Sequence, residues 1–250
     1  MHSPDSDAAE RSWRGLNTVA GSAALLTALA IPFQMILFIA WPPPEHGTAV
    51  DWFALFQANP VHGLLSLDLV MMVEQVLVIP IAVALYRLLH RTAESTMAIA
   101  LAAWLLGTGL FIASNTAFQM LTLSNGYAAA TSDATRASFL AAGEVMLATY
   151  WGMGTAFVFG YLLSAASGVM LGLVMLRAGT LGRLAAWMAV GGNLLGLGLF
   201  VPGIGVGLSL VSVLVLWVWY GLVGVRLVRL GRSGIAGPAA HRRVSAPATV

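Results

Sequence analysis

From Asn17 to Trp41 the chain carries no charged side chain, and the run is apolar almost throughout. A bilayer span needs ~20 such residues in succession. The run exceeds the ~7–15-residue core of a cleavable signal peptide, so it predicts a retained first membrane helix. Five further runs follow, over about 61–89, 95–118, 151–176, 184–201 and 204–228. Sustained apolar runs of this kind exclude a β-barrel, whose strands alternate polar and apolar residues.

Composition agrees: 59% of the 250 residues are hydrophobic and 9% are charged, against about 25% charged in soluble domains. The expected fold is all-α, an integral membrane bundle of six transmembrane helices with cytoplasmic N and C termini. Residues 1–16 read as a disordered tail, 17–228 as the transmembrane domain and 229–250 as a disordered basic tail. Pro42-Pro43-Pro44 closes the first helix. The loop 42–60 is expected on the non-cytoplasmic side, with Trp52, Phe53, Leu55 and Phe56 at headgroup level, where aromatics are favoured. Pro80 predicts a kink in the second helix. The more polar region 119–143 contains a turn signal, Ser124-Asn125-Gly126, and 132–150 reads as a capped or amphipathic helix start.

All twelve basic residues are arginines. In the six-helix reading Arg11, Arg14, Arg87, Arg91, Arg177, Arg183, Arg226, Arg229, Arg232, Arg242 and Arg243 share one side, and Arg136 alone lies opposite. The positive-inside rule makes the crowded side cytoplasmic. The sequence pI near 9.4 therefore reflects topology and implies no nucleic-acid partner. Without lysine there is no amine for a Schiff base, and without cysteine there are no disulfides, thiol nucleophiles or cysteine metal sites. His-x-x-x-His spacing, a Walker loop and a dinucleotide fingerprint are all missing, and no cofactor is expected. Gly203-x-Gly205-x-Gly207 follows a proline turn between spans and reads as a membrane turn. Small residues repeat every fourth position at Ser164, Gly168 and Gly172, and again at Gly192 and Gly196, which predicts close helix approach in lipid.

Ionisable groups inside a bilayer are functional candidates by default. The second helix holds two, Asp68 and Glu74. At 3.6 residues per turn Asp68 and Gln75 share a face, with Glu74 about a third of a turn away. A second polar group, Ser114, Asn115, Gln119, Glu144, Tyr150 and Trp151, falls at the outer ends of the third and fourth helices. If the bundle closes, Asp68, Glu74, Gln75, Asn115, Glu144 and Tyr150 line a polar cavity in the outer half of the membrane. The plainer alternative satisfies the acids by interhelical hydrogen bonds and leaves Glu144 at a solvated boundary. Asn193 reads as a helix bridge first and otherwise as a lining residue of the same cavity, Ser209 and Ser212 as back-bonded to their own helix, Trp217, Trp219 and Tyr220 as an interfacial or lipid-facing belt, and His62 as a boundary histidine.

Several segments resemble a family of bacterial multipass membrane proteins, common in actinobacteria, that is known only as a domain of unknown function. They are Asn59-Pro60 followed by Gly63-Leu64-Leu65-Ser66-Leu67-Asp68, the stretch Ala113-Ser114-Asn115-Thr116-Ala117-Phe118-Gln119-Met120-Leu121, Tyr127-Ala128-Ala129-Ala130-Thr131, Met175-Leu176-Arg177, Gly198-Leu199-Phe200-Val201-Pro202, and Trp217 with Tyr220. The likeness spans roughly residues 50–231. It implies a helical membrane protein and no particular activity or catalytic residue. The chain departs from that pattern at Thr116 and Gln119, where the family has Pro and Glu.

Three functions fit these observations. One is binding or movement of a small apolar or amphipathic molecule in the outer-half cavity. Another is a membrane-embedded acid/base enzyme, comparable in size and helical character to small terpene cyclases. The third is a non-catalytic assembly protein whose acids lock helix packing. The partners expected are the lipid bilayer of the plasma membrane and a small apolar ligand.

Overall fold

The computed structural model describes residues 4–44 and 47–233, and every regular element among them is a helix. Six units are long and apolar enough to cross a membrane, so this is an all-α, multipass membrane bundle. The crossing helices are α1 (Pro4–Ala40), α4 (Leu69–Leu89), α5 (Glu94–Ser114), α8 (Thr155–Ala178), α9 (Arg183–Leu197) and α10 (Gly205–Ser233). Four further α-helices lie between them: α2 (Ala49–Ala58), α3 (Pro60–Ser66), α6 (Ala117–Ala129) and α7 (Asp133–Trp151).

Helix α1 begins at Pro4, so residues 4–16 are not the unstructured tail expected from their polarity. Ala8, Ala9, Glu10 and Arg11 are good helix formers, and from Arg14 onward α1 lies against the end of α10. A Cβ on Gly231 would stand 3.1 Å from the Arg14 carbonyl oxygen, and one on Gly21 would stand 2.6 Å from the Val228 nitrogen. Only glycine permits backbones this close. The two helices run antiparallel and bring the start of α1 and the end of α10 to one end of the bundle. Helix α10 continues to Ser233, five residues into the expected basic tail, while 234–250 lie outside the described residues.

That same end holds the arginines of the helix termini and turns, and Arg87 stacks on Trp13 with its guanidinium carbon 4.7 Å from the ring centroid. The turn Arg177–Arg183 reverses there through Gly179 and Gly182, both in the left-handed region (φ 66° and 77°). Arg136 sits at the opposite end, on α7. The bundle core, which includes Leu85, Leu89, Leu171, Met175 and Leu227, is fully buried toward the arginine end. Large apolar side chains such as Leu29 and Ile39 point outward, as lipid contact requires.

At the other end the chain builds a cap. Apolar helical units, each broken once, run 36 residues through α5–α6 and 46 through α7–α8. At ~1.5 Å per residue these reach far beyond the ~30 Å hydrocarbon layer. Their distal halves, α6 and α7, pack with α2 and α3 around a second core of Trp52, Phe53, Phe56, Leu67, Met120 and Leu147. Trp52, Phe53 and Phe56 are thus buried side chains of the cap and not headgroup anchors. The expected turn at Ser124-Asn125-Gly126 is also replaced by helix: Ser124 lies inside α6, where its hydroxyl donates to the Phe53 carbonyl (3.1 Å) and accepts from Gln57 (2.9 Å). A tertiary partner for the serine overrides the local turn signal.

Cap and bundle meet at one level, where three helical units break. The second membrane helix is interrupted at Leu67–Asp68, α5 ends at Asn115, and α7 gives way to α8 at Gly152–Gly154. Asp68 (φ 60°) and Met153 (φ 50°), the two non-glycine residues with positive φ among those described, both lie at this junction.

Candidate functional site

A cavity of about 450 Å³ lies inside the bundle and touches all six crossing helices, a volume within the range of small-molecule sites. Helix α1 supplies Ile31, Gln34, Met35 and Phe38, and α4 supplies Met71, Glu74, Gln75 and Val78. Trp104 and Phe111 come from α5, and Tyr161, Ser164, Ala165 and Gly168 from α8. Asn193 and Gly196 come from α9, and Leu210, Ser212, Val213, Trp219 and Tyr220 from α10. Small residues make room for it. The space a Gly168 side chain would fill is taken by the Asn193 amide, and a Cβ on Gly196 would meet the Tyr161 hydroxyl at 2.9 Å.

Glu74 is the one carboxyl in the lining. Its Oε1 is buried without a hydrogen-bond partner, as is the indole Nε1 of Trp219. Buried polar atoms are almost always paired, so two orphans on one cavity wall mark where an incoming group would bond. Neighbouring polar groups are already engaged. Tyr161 donates to the Gly196 carbonyl (3.1 Å), Ser212 to the Gly192 carbonyl (2.8 Å) and Asn193 to the Ala189 carbonyl (2.7 Å). Ser212 therefore bridges α10 to α9 instead of bonding within its own helix. Asn193 takes the second of its two expected roles: it bonds within α9 and lines the cavity. Trp219 is buried, and Tyr220 lines the cavity beside it with ring centroids 5.0 Å apart. Of the expected aromatic belt only Trp217 is exposed, and its Nε1 donates to the Ala28 carbonyl at 2.7 Å.

That bond closes the middle of the seam between α1 and α10, and glycine contacts close its arginine end. Toward the cap the same two helices line the cavity. Met35 on α1 and Leu210 and Val213 on α10 line the cavity and are also exposed on the outside of the bundle. The mouth of the cavity lies between them, on a side wall where lipid would be.

Of the six site residues expected from sequence, Glu74 and Gln75 are in the cavity. Asp68 and Tyr150 form a latch just above it. One Asp68 carboxyl oxygen accepts from Gln34 Nε2 (2.7 Å) and the other from the Tyr150 hydroxyl (2.6 Å). Gln34 lines the cavity, so the latch ties the wall beside the mouth to the base of α7 in the cap. Asn115 and Glu144 are not in the cavity. Asn115 Nδ2 donates to the Leu67 carbonyl (2.7 Å) and its Oδ1 accepts from the Ala117 amide (2.9 Å), which serves the broken ends of two helices. Glu144 accepts from the Ala49 amide (2.7 Å) and fixes the start of α2 to α7, a favourable place for an acid. His62 remains at the boundary, its ring centroid 5.2 Å from that of Trp41. Sequence reasoning missed Gln34, Trp104, Tyr161 and Trp219, because apolar helices give no amphipathic signal to say which aromatics face inward.

The described residues contain no group of three or more His, Asp or Glu side chains able to hold a metal ion. The chain matches no family model, no curated protein and no solved structure. The site is therefore read from its own chemistry.

Proposed function

We propose that this protein binds a small lipophilic molecule, taken up laterally from the bilayer through the gap between α1 and α10, and that it serves as a membrane receptor or carrier. The reading rests on one observation above all: a largely apolar cavity open toward lipid, with the unpartnered Glu74 Oε1 on its wall. Apolar lining selects lipophilic molecules by burial, worth ~25 cal/mol per Å² of apolar surface, and a few polar groups fix orientation. The Asp68–Tyr150–Gln34 latch gives the cap a mechanical link to the wall beside the mouth, as a gated carrier would need. The positive-inside rule supports a plasma-membrane orientation with the arginine end in the cytoplasm and the cap outside.

Native mass spectrometry of the detergent-purified protein, with lipid and small-molecule analysis of what is released, tests the reading. Wild type is expected to retain a discrete small molecule that a folded Glu74→Gln variant loses. The same released profile from both proteins, lipids only, would count against it. Chemical conversion of that molecule by wild type but not by Glu74→Gln would favour the acid/base enzyme, in which Glu74 is the proton donor.

A further inference from the structure

The chemistry of the lining also selects a ligand class, an inference that rests on the cavity reading above. We infer that the ligand is a lipophilic amine that also carries an oxygen acceptor, with its ammonium on Glu74 and its acceptor on the indole N–H of Trp219. Glu74 is the lining's sole carboxyl, and no Arg or His side chain accompanies it there. The chain has no lysine, and the arginines among the described residues, Arg136 apart, gather at the far end of the bundle. A buried carboxyl group unpaired by the protein calls for a donor from the ligand, and a cationic N–H makes the strongest such bond while cancelling the charge. Trp104, Tyr161, Trp219 and Tyr220 line the same space, and aromatic rings attract a cation through their quadrupoles. An anionic ligand meets the opposite conditions beside Glu74.

Trp219 supplies the second contact independently. Its side chain is 3% exposed and its Nε1 has no partner, and an indole nitrogen can only donate. An ether, hydroxyl or carbonyl oxygen on the ligand completes it. The remaining wall of Ile31, Val78 and Leu171 accepts a hydrocarbon or aromatic body, and the mouth toward lipid admits compounds that partition into membranes.

Equilibrium dialysis against protein in lipid nanodiscs, corrected with empty nanodiscs, decides this with three probes of one shape. Naphthyloxyethylamine is the cation, naphthyloxyethanol the neutral match and naphthyloxyacetate the anion. The amine is expected to bind saturably and roughly 10- to 100-fold more tightly than the alcohol, the range for a hydrogen bond to a charged group. Glu74→Gln should erase that advantage, Glu74→Asp should restore part of it, and Trp219→Phe should weaken amine and alcohol alike by a few-fold. Alcohol binding as tight as the amine in wild type would overturn the amine assignment and leave the cavity reading standing. No saturable binding of any probe to wild type would contradict both. The wild-type comparison stands even if a variant fails to fold.

Discussion

Asp68 concentrates the local physics of the junction. It holds a left-handed backbone (φ 60°) where the chain breaks between α3 and α4, and both its carboxyl oxygens are occupied by Gln34 and Tyr150. Left-handed geometry costs an ordinary residue ~1–2 kcal/mol, and Asn or Asp tolerate it best. Asp68→Asn should therefore lose only about 1 kcal/mol, because one hydrogen bond changes character. Asp68→Leu leaves Gln34 and Tyr150 without their acceptor and adds strain, for about 3 kcal/mol or more. Thermal unfolding of the two variants in one detergent checks the order, and equal loss would mean the latch adds nothing. Asp68 and Glu74 were legible in the sequence because acids in apolar runs are conspicuous. Their different roles were not, since Asp68 takes its partners from α1 and α7, far away in the chain.

At the scale of elements, glycine spacing carries real packing information. A Cβ on Gly172 would stand 2.9 Å from the Ala186 carbonyl oxygen and from the Val190 nitrogen, both backbone atoms, whereas one on Gly191 meets nothing within 4 Å. Gly172→Val should push α8 from α9 and lower stability by roughly 1–3 kcal/mol, the usual cost of overpacking. Gly191→Ala should leave stability unchanged or slightly raised, since Gly in a helix costs ~1 kcal/mol relative to Ala. Unfolding measurements that found the two alike would contradict the assigned interface. The cap offers a pH test through Asp51, whose carboxyl accepts from the Thr48 hydroxyl (2.8 Å) and the Thr48 amide (2.7 Å) at the start of α2. These bonds hold its pKa below the ordinary 3.8. A lowered pKa means the cap stabilises α2 at neutral pH and loses that contribution as pH falls through and below about 3.8. Carbon-detected NMR titration of Asp51 should give a midpoint below 3.8, and Thr48→Val should move it upward. The cap helices themselves were only half legible. Ser132 announced α7, and its hydroxyl does accept from the Thr135 amide (3.2 Å). The aromatics of α2 looked like headgroup anchors because nothing local reveals that α6 and α7 will stand above the membrane to bury them.

For the whole molecule, the six crossings were legible because apolar length is a direct physical demand of the bilayer, and the arginine asymmetry fixed the alternation. The absence of cysteine makes orientation easy to test. A single cysteine placed at Ser138, exposed on α7, should react with an impermeant maleimide added outside intact cells, while one at Arg91, exposed between α4 and α5, should react only after lysis. The reverse pattern would invert the topology. The cavity was legible only as an intention of polar residues: its aromatic wall comes from α5, α8 and α10 together, which no periodicity encodes. Access to the cavity from lipid is measured by labelling the protein in membranes with a small apolar diazirine and mapping the carbene adducts by mass spectrometry. Adducts are expected on Glu74, Met71 and Trp219, which line the cavity, along with the outer surface. Adducts confined to lipid-facing side chains such as Ile39, Val73 and Val76 would contradict access from lipid.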